Sequence, residues 1–394
     1  MRGAAGPSRA RILAAVLAPV CARRSGLLEL LRVIYHLDVP GSEAEVRAEA
    51  LAREQTVEVP REALRDEVVV REALGRVERV EEDPAGGFRA TLAYPVAATG
   101  LDPAQCLNVV FGNSSLHEDV RCLEVEPGPE LAAALGGPRF GLAGLRKTVG
   151  VFGRPLTCTA VKPMGLGTDA LAELAGTFAR AGIDVVKDDH GLADQTWSPF
   201  RERVRACLAA VARASDATGH NAVYAPNLIG TPERVRDGLR FAEDAGARAV
   251  LASPMLLGLP AFFELCRCAS VPVIAHPAFA GVLRIAPEAL FGTLLRLFGA
   301  DAVIFISFGS RFRRSEAECR RVAERLRGPL ARCLPSLPVP AGGIELENAA
   351  EMVRCYGRDA MLLVGGSLQR EAGAILERGR RFVAVVHEAA AGLS

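Results

Sequence analysis

Aromatic residues are scarce: they make up 5% of the 394 residues, with a single tryptophan, Trp197. A platform for stacking single-stranded bases needs more of them. An excess of one charge is also missing, since 47 Lys and Arg stand against 46 Asp and Glu. A net charge of +1 gives no field for gripping nucleic acid, and no nucleic-acid partner is expected. No apolar run reaches the roughly 18–20 residues of a membrane span, so no membrane partner is expected either. Cys-x-x-Cys spacing is absent, and the ten cysteines are scattered. The nearest pair, Cys266 and Cys268, falls in a helical stretch, where positions i and i+2 do not share a face. That argues against a zinc site and reads as reduced, buried thiols in a cytoplasmic protein.

What is present is apolar and small: half the residues are hydrophobic and 39 are glycine. This is enough for a large core and suits tight α/β packing. The length fits two or three domains at roughly 150 residues each. At the N-terminus Arg2, Arg9 and Arg11 precede the apolar run 12–21, the shape of a signal peptide. The free-thiol usage behind it argues against export, so residues 1–26 read as a disordered leader.

Residues 27–150 read as a smaller α+β domain. "LLRVIYHLDV", "GFRATLAYP" and "CLNVVFGN" are strand signals. Ser42 followed by Glu45 reads as a capping box that opens a helix over 42–55. From 151 to 394 the rhythm changes. Eight short apolar runs begin near 155, 183, 221, 248, 271, 301, 337 and 360, with amphipathic helices between them. Continuous apolar runs suit parallel strands buried on both faces. Gly182, Gly246 and Gly299 stand where each helix would turn into the next strand. Eight such units predict a (β/α)8 TIM barrel, with a doubly wound open sheet as the alternative.

In a barrel the chemistry lies at the C-terminal strand ends. The first strand ends in Lys162-Pro163-Met164, the second in Lys187-Asp188-Asp189-His190, the third in Asn227 and the fifth in His276. Strand alternation puts Lys187 and Asp189 on one side. Lys187 there is a desolvated base, or a lysine carbamylated into an oxygen ligand for Mg²⁺. Gly342-Gly343 and Gly365-Gly366 end strands seven and eight, where barrels often bind phosphate through backbone N–H groups.

The run "TAVKPMGL" followed by "GIDVVKDDH" resembles the large subunit of ribulose-bisphosphate carboxylase/oxygenase (RuBisCO), whose pattern is K-P-K and then G-x-D-x-x-K-D-D-E. "FGNSSL" and "GPRFGLAGLR" are similar to further segments of that family, and "AREQTVEVP" resembles a variant of its non-carboxylating, form IV members. Departures matter. Met164 stands where the second lysine of K-P-K belongs, His190 replaces the last metal-binding carboxylate, and Ala341 replaces a substrate-binding serine. The sixth loop lacks the family's mobile lysine, and the strand-six histidine is missing.

The resemblance implies an enzyme that forms an enediolate from a phosphorylated keto-sugar without fixing CO₂. Isomerisation of a methylthio-pentulose phosphate and decarboxylation of a sugar-acid phosphate both fit; a non-catalytic sugar-phosphate-binding or stress-response protein is the alternative. It implies Lys187 as the candidate carbamate, Lys162 as an acid or base beside the substrate and His276 as a substrate-binding histidine, and these three are the catalytic candidates. Gly342, Gly343, Gly365 and Gly366 match the family's phosphate site, and Arg311, at the end of the sixth strand, is a further candidate for binding substrate. Lys187, Asp189 and His190 would hold Mg²⁺, at a site altered by the imidazole. Glu54 and Asn113 would complete the active site of a second copy in a homodimer with shared sites.

Overall fold

The structure, a computed structural model, describes residues 29–371 and 373–393. The expected leader, 1–26, lies outside the described residues. Strand β1 (Leu30–Leu37) alternates half-buried and buried positions, so Leu31, Val33, Tyr35 and Leu37 share one covered face. It pairs antiparallel with β3 (Phe88–Pro95) and β4 (Val120–Glu126), and β2 (Arg76–Glu82) completes the order β2-β3-β1-β4.

Two expectations fail in this region. "CLNVVFGN" is not a strand but the end of the helix Pro103–Phe111. Its β-branched residues suggested a strand, yet Asp102 caps it by accepting from the N–H groups of Ala104 and Gln105, and Pro103 takes the first turn. The Tyr35 hydroxyl donates to the Val110 carbonyl at 2.5 Å, which ties this helix to β1. Ser42 caps nothing: it sits in the single turn Gly41–Glu43, and the helix that follows is Ala44–Glu54. A complete capping box does exist elsewhere, with Ser315 and Glu318 opening the helix Glu316–Arg327.

All eight apolar runs of the second half form parallel strands, and the third is split. The strands are β5 (Leu156–Val161), β6 (Val185–Asp188), β7 (Val223–Ala225), β8 (Asn227–Leu228), β9 (Val250–Ala252), β10 (Val273–Ala275), β11 (Ala302–Ile306), β12 (Leu337–Ala341) and β13 (Met361–Val364). Their order runs from β7 through β6, β5, β13, β12, β11, β10 and β9 to β8. Because β7 and β8 are two halves of one run, parted at Pro226, the ring closes there. Pro226 has no N–H to give, but its carbonyl accepts from Leu251 N at 2.9 Å. The barrel is closed, not a doubly wound sheet. Side chains such as Cys158, Val185, Leu251, Ile304, Val339 and Leu363 fill its interior.

At the opposite end from the expected site, two aspartates lock the strand starts. Asp184 accepts from both terminal nitrogens of Arg154, at 2.7 and 2.8 Å, and from the amide and hydroxyl of Thr157. Asp301 accepts from the amides of Phe140, Gly141 and Val273. The small sheet joins the barrel along β4: Cys122 exchanges backbone bonds with Arg284 and Ala286. Among the described residues no helix is long and apolar enough to cross a membrane. The described cysteines are unpaired and mostly buried, but Cys268 is exposed, against expectation.

Candidate active site at the barrel mouth

The C-terminal ends of β5, β6 and β10 bring five expected residues together. Lys162 Nζ lies 3.0 Å from Asp189 Oδ1. His190 Nδ1 lies 3.5 Å from the same oxygen. The His190 ring stacks on that of His276, with centroids 4.4 Å apart and planes 11° from parallel. Lys187 lies beneath them, 2% exposed, with Nζ donating to the Asp188 carbonyl at 3.1 Å.

Burial dominates the electrostatics. It pushes the Lys187 amine below the ordinary lysine value, and the Lys162 charge adds to this, while Asp189 and Asp188 oppose it. Burial also raises the Cys158 thiol to about 12, so it stays neutral below the amine. For Asp189 burial acts upward, but hydrogen bonds from His190 and Lys162 and the two lysine charges outweigh it and hold the carboxyl well below its usual range. Burial first, then the Lys187 charge, pushes His276 down to about 2, so its imidazole is neutral. Nδ1 of His276 accepts from the Ala278 amide at 3.1 Å, which leaves the ring proton on Nε2 as a donor.

The donor set decides how a metal would fit. Asp188 is taken up away from the mouth, by Arg203, Tyr224 and the Asn227 amide. The expected ligands are one carboxylate (Asp189), one imidazole (His190) and one amine (Lys187), and the described residues contain no cluster of three His, Cys, Asp or Glu placed to hold an ion. Mg²⁺ prefers oxygen donors in octahedral geometry. The unmodified set therefore does not fit it as a protein site; a carbamate on Lys187 would add oxygen donors beside those of water and substrate.

The glycine pairs form a platform beside this cluster. Gly342 and Gly343 have φ of +80° and +72°. A side chain on Gly343 would meet the Gly309 carbonyl at 2.7 Å, so the loop after β11 rests directly on this glycine. Arg311, exposed on that loop, stands two residues from the contact. Gly365 and Gly366 face open space. Asn348 Nδ2 donates to the Gly343 carbonyl at 2.7 Å and its Oδ1 accepts from Glu345 N at 2.9 Å, which fixes the turn. Asn348 carries no sequence signal of its own and was not anticipated.

Met164 is 56% exposed at the rim, with Sδ 3.8 Å from Gln195 Nε2. Gln195, also unanticipated, donates to the Gly191 carbonyl at 2.7 Å. Glu54 and Asn113 do not join the cluster within one chain. Glu54 pairs with His117 at 2.9 Å, and Asn113 donates to Glu58 at 3.0 Å, both at the tip of the small domain.

Residues 141–305 match the family described as ribulose bisphosphate carboxylase large chain, catalytic domain. The chain is 42% identical over 366 residues to 5-methylthioribulose-1-phosphate isomerase of Rhodospirillum rubrum, covering 92% of this chain and 98% of that protein. It is 34% identical over 315 residues to 2,3-diketo-5-methylthiopentyl-1-phosphate enolase of Geobacillus thermodenitrificans, covering 76% and 75%. A Rubisco-like protein from Rhodopseudomonas palustris superimposes with a TM-score of 0.86 at 40% identity, over 93% of this chain and 99% of that one.

Proposed function

This chain belongs to the RuBisCO large-chain superfamily as a RuBisCO-like protein, and on that premise we propose that it isomerises a 5-methylthiopentulose 1-phosphate through an enediolate. The observation that carries this reading is the Lys162–Asp189 pair set over a desolvated Lys187 amine. The platform of Gly342, Gly343, Gly365 and Gly366, with Arg311 beside it, takes the phosphate through backbone N–H groups and a guanidinium. The Lys187 amine, in the neutral form that burial favours, takes a proton from the carbon next to the carbonyl. The Lys162 ammonium, held by Asp189, faces the oxygen where negative charge grows, and His276 Nε2–H donates to a second substrate oxygen. Return of the proton to the neighbouring carbon, together with transfer of the first carbon's hydroxyl proton to the second carbon's oxygen by way of Lys162, moves the carbonyl and completes the isomerisation. Met164 offers no positive charge for a developing carboxylate, so the site is not equipped for CO₂ fixation.

The site is completed by a second copy. Glu54 and Asn113 make no bond to the cluster in their own chain, and Leu116 beside them is 79% exposed. We place this tip over the partner's barrel mouth in a two-fold dimer.

The test is NMR of 5-methylthioribulose 1-phosphate incubated with the protein in deuterated water. Isomer formation with deuterium at the transferred position is expected. Substrate that binds without exchange would support a non-catalytic sugar-phosphate-binding protein instead. Tautomerisation of a 2,3-diketo substrate with no action on the pentulose would favour the enolase reaction named for the Geobacillus relative. Labelled CO₂ uptake into ribulose bisphosphate above the enzyme-free control would overturn the exclusion of carboxylation.

A further inference from the structure

Behind β6 lies a buried network that the chemistry above does not use. Asp188 is fully buried; its Oδ2 accepts from Arg203 Nε and from the Asn227 amide, each at 3.1 Å, and its Oδ1 accepts from the Tyr224 hydroxyl at 2.5 Å. Arg203, also without exposure, donates from Nη1 to the Ser198 carbonyl at 2.7 Å and from Nη2 to the Ala193 carbonyl at 2.8 Å. Asn227 Nδ2 donates to the carbonyls of His190 and Leu192, at 3.0 and 2.9 Å. The network thus grips the backbone of 188–198 at both ends and in the middle. That is the loop on which Asp189, His190 and Gln195 stand.

A buried ion pair is an expensive way to join a helix to a strand, because both charges must leave water. An apolar pair of similar volume would hold the helix Phe200–Thr218 against β6 at least as well. What an apolar pair cannot do is hold loop carbonyls in place. The planar guanidinium does so with separate N–H groups aimed in fixed directions. We propose that Arg203, with Asp188 and Tyr224, is a positioning unit that sets the loop so that Asp189 meets Lys162 and His190 stacks on His276. The proposal rests on the sugar-phosphate reading of this site. None of the three residues touches substrate.

Three variants test it: Tyr224→Phe, which removes one hydrogen bond without changing shape, Arg203→Lys, which keeps the charge with fewer directed donors, and Arg203→Met. Two readouts are taken, turnover of 5-methylthioribulose 1-phosphate and the proton NMR shifts of the His190 and His276 rings in the free protein. The expected result is a kcat lowered roughly 10- to 100-fold with KM little changed, since a small misplacement of reacting groups costs that much while the phosphate platform after β12 and β13, which the network does not touch, stays in place. Arg203→Lys should retain more activity than Arg203→Met. The mutual ring shifts of the stacked histidines should collapse along with kcat. Should Arg203→Met fail to fold, Tyr224→Phe and Arg203→Lys decide. Folded variants with unchanged ring shifts, or a loss confined to KM, would overturn the proposal. Ring shifts are read without substrate, so a wild-type protein inactive on the sugar phosphate would sink the functional reading and leave this one still judged.

Discussion

Lys187 shows how one side chain acquires a role from its surroundings. Its amine is buried at the end of β6, near Cys158 and two residues beyond the interior Val185, where burial favours the neutral form. A base must be neutral to accept a proton, and a lowered pKa makes that form available at lower pH. The rate of solvent exchange should therefore rise with pH and level off below the ordinary lysine value of roughly 10.4. A pH–rate profile that still climbs through that value would assign the base elsewhere. Lys162 differs, being more than a third exposed on its side chain and paired with Asp189. Lys162→Met and Lys187→Met should each lower turnover on the order of 10²-fold or more with little change in melting temperature. Wild-type rates in both variants would refute the assignment.

Within a single strand the same residue type serves opposite ends. Asp184 precedes β6 and Asp189 follows it; both are aspartates flanking one apolar run. Asp184 is buried, with Arg154 and Thr157 filling its acceptors, so it holds the strand start. Asp184→Ala leaves the Arg154 charge without its partner and should cost about 3–5 kcal/mol, read as a lower denaturant midpoint, while kcat of the folded fraction stays unchanged. The turn after β12 makes a separate prediction. Gly343→Ala puts a Cβ 2.7 Å from the Gly309 backbone at a φ of +72°, so the loop bearing Arg311 must lift. The strain is roughly 1–2 kcal/mol, and the kinetic mark should be a raised KM for the phosphorylated substrate with a smaller change in kcat. Equal KM values would mean that the platform does not hold the phosphate.

At the scale of the whole molecule, the dimer proposed above would bring two distant regions into one site. Glu54 and Asn113 lie at the tip of the small domain, and β4 fixes that domain to its own barrel through Arg284 and Ala286. Mixing Asn113→Ala or Glu54→Ala protein with Lys187→Met protein should restore part of the activity, since hybrid dimers hold one intact site. A monomer in light scattering, or no rescue from verified hybrids, would refute the shared site.

The barrel was legible in the sequence because each strand is a local apolar run, and most of the helices between them end at or next to a glycine such as Gly182, with φ of +87°. The strand-end residues were legible for the same reason: counting along a strand places Lys187 and Asp189 on one side and Asp188 on the other. In the small domain the local signals conflicted. The β-branched run before Gly112 outvoted the Asp102-Pro103 cap, and β2 and β4 carry too many charges to read as buried strands. No local pattern marks Arg203, Asn348 or the stacking of His190 on His276, because each joins residues far apart in the chain. Periodicity along the chain thus determines the fold class and the list of polar strand ends. Only closure of the barrel, with Pro226 at its seam, decides which of those ends face one another, which charges are stripped of water, and hence which amine burial biases toward its neutral form.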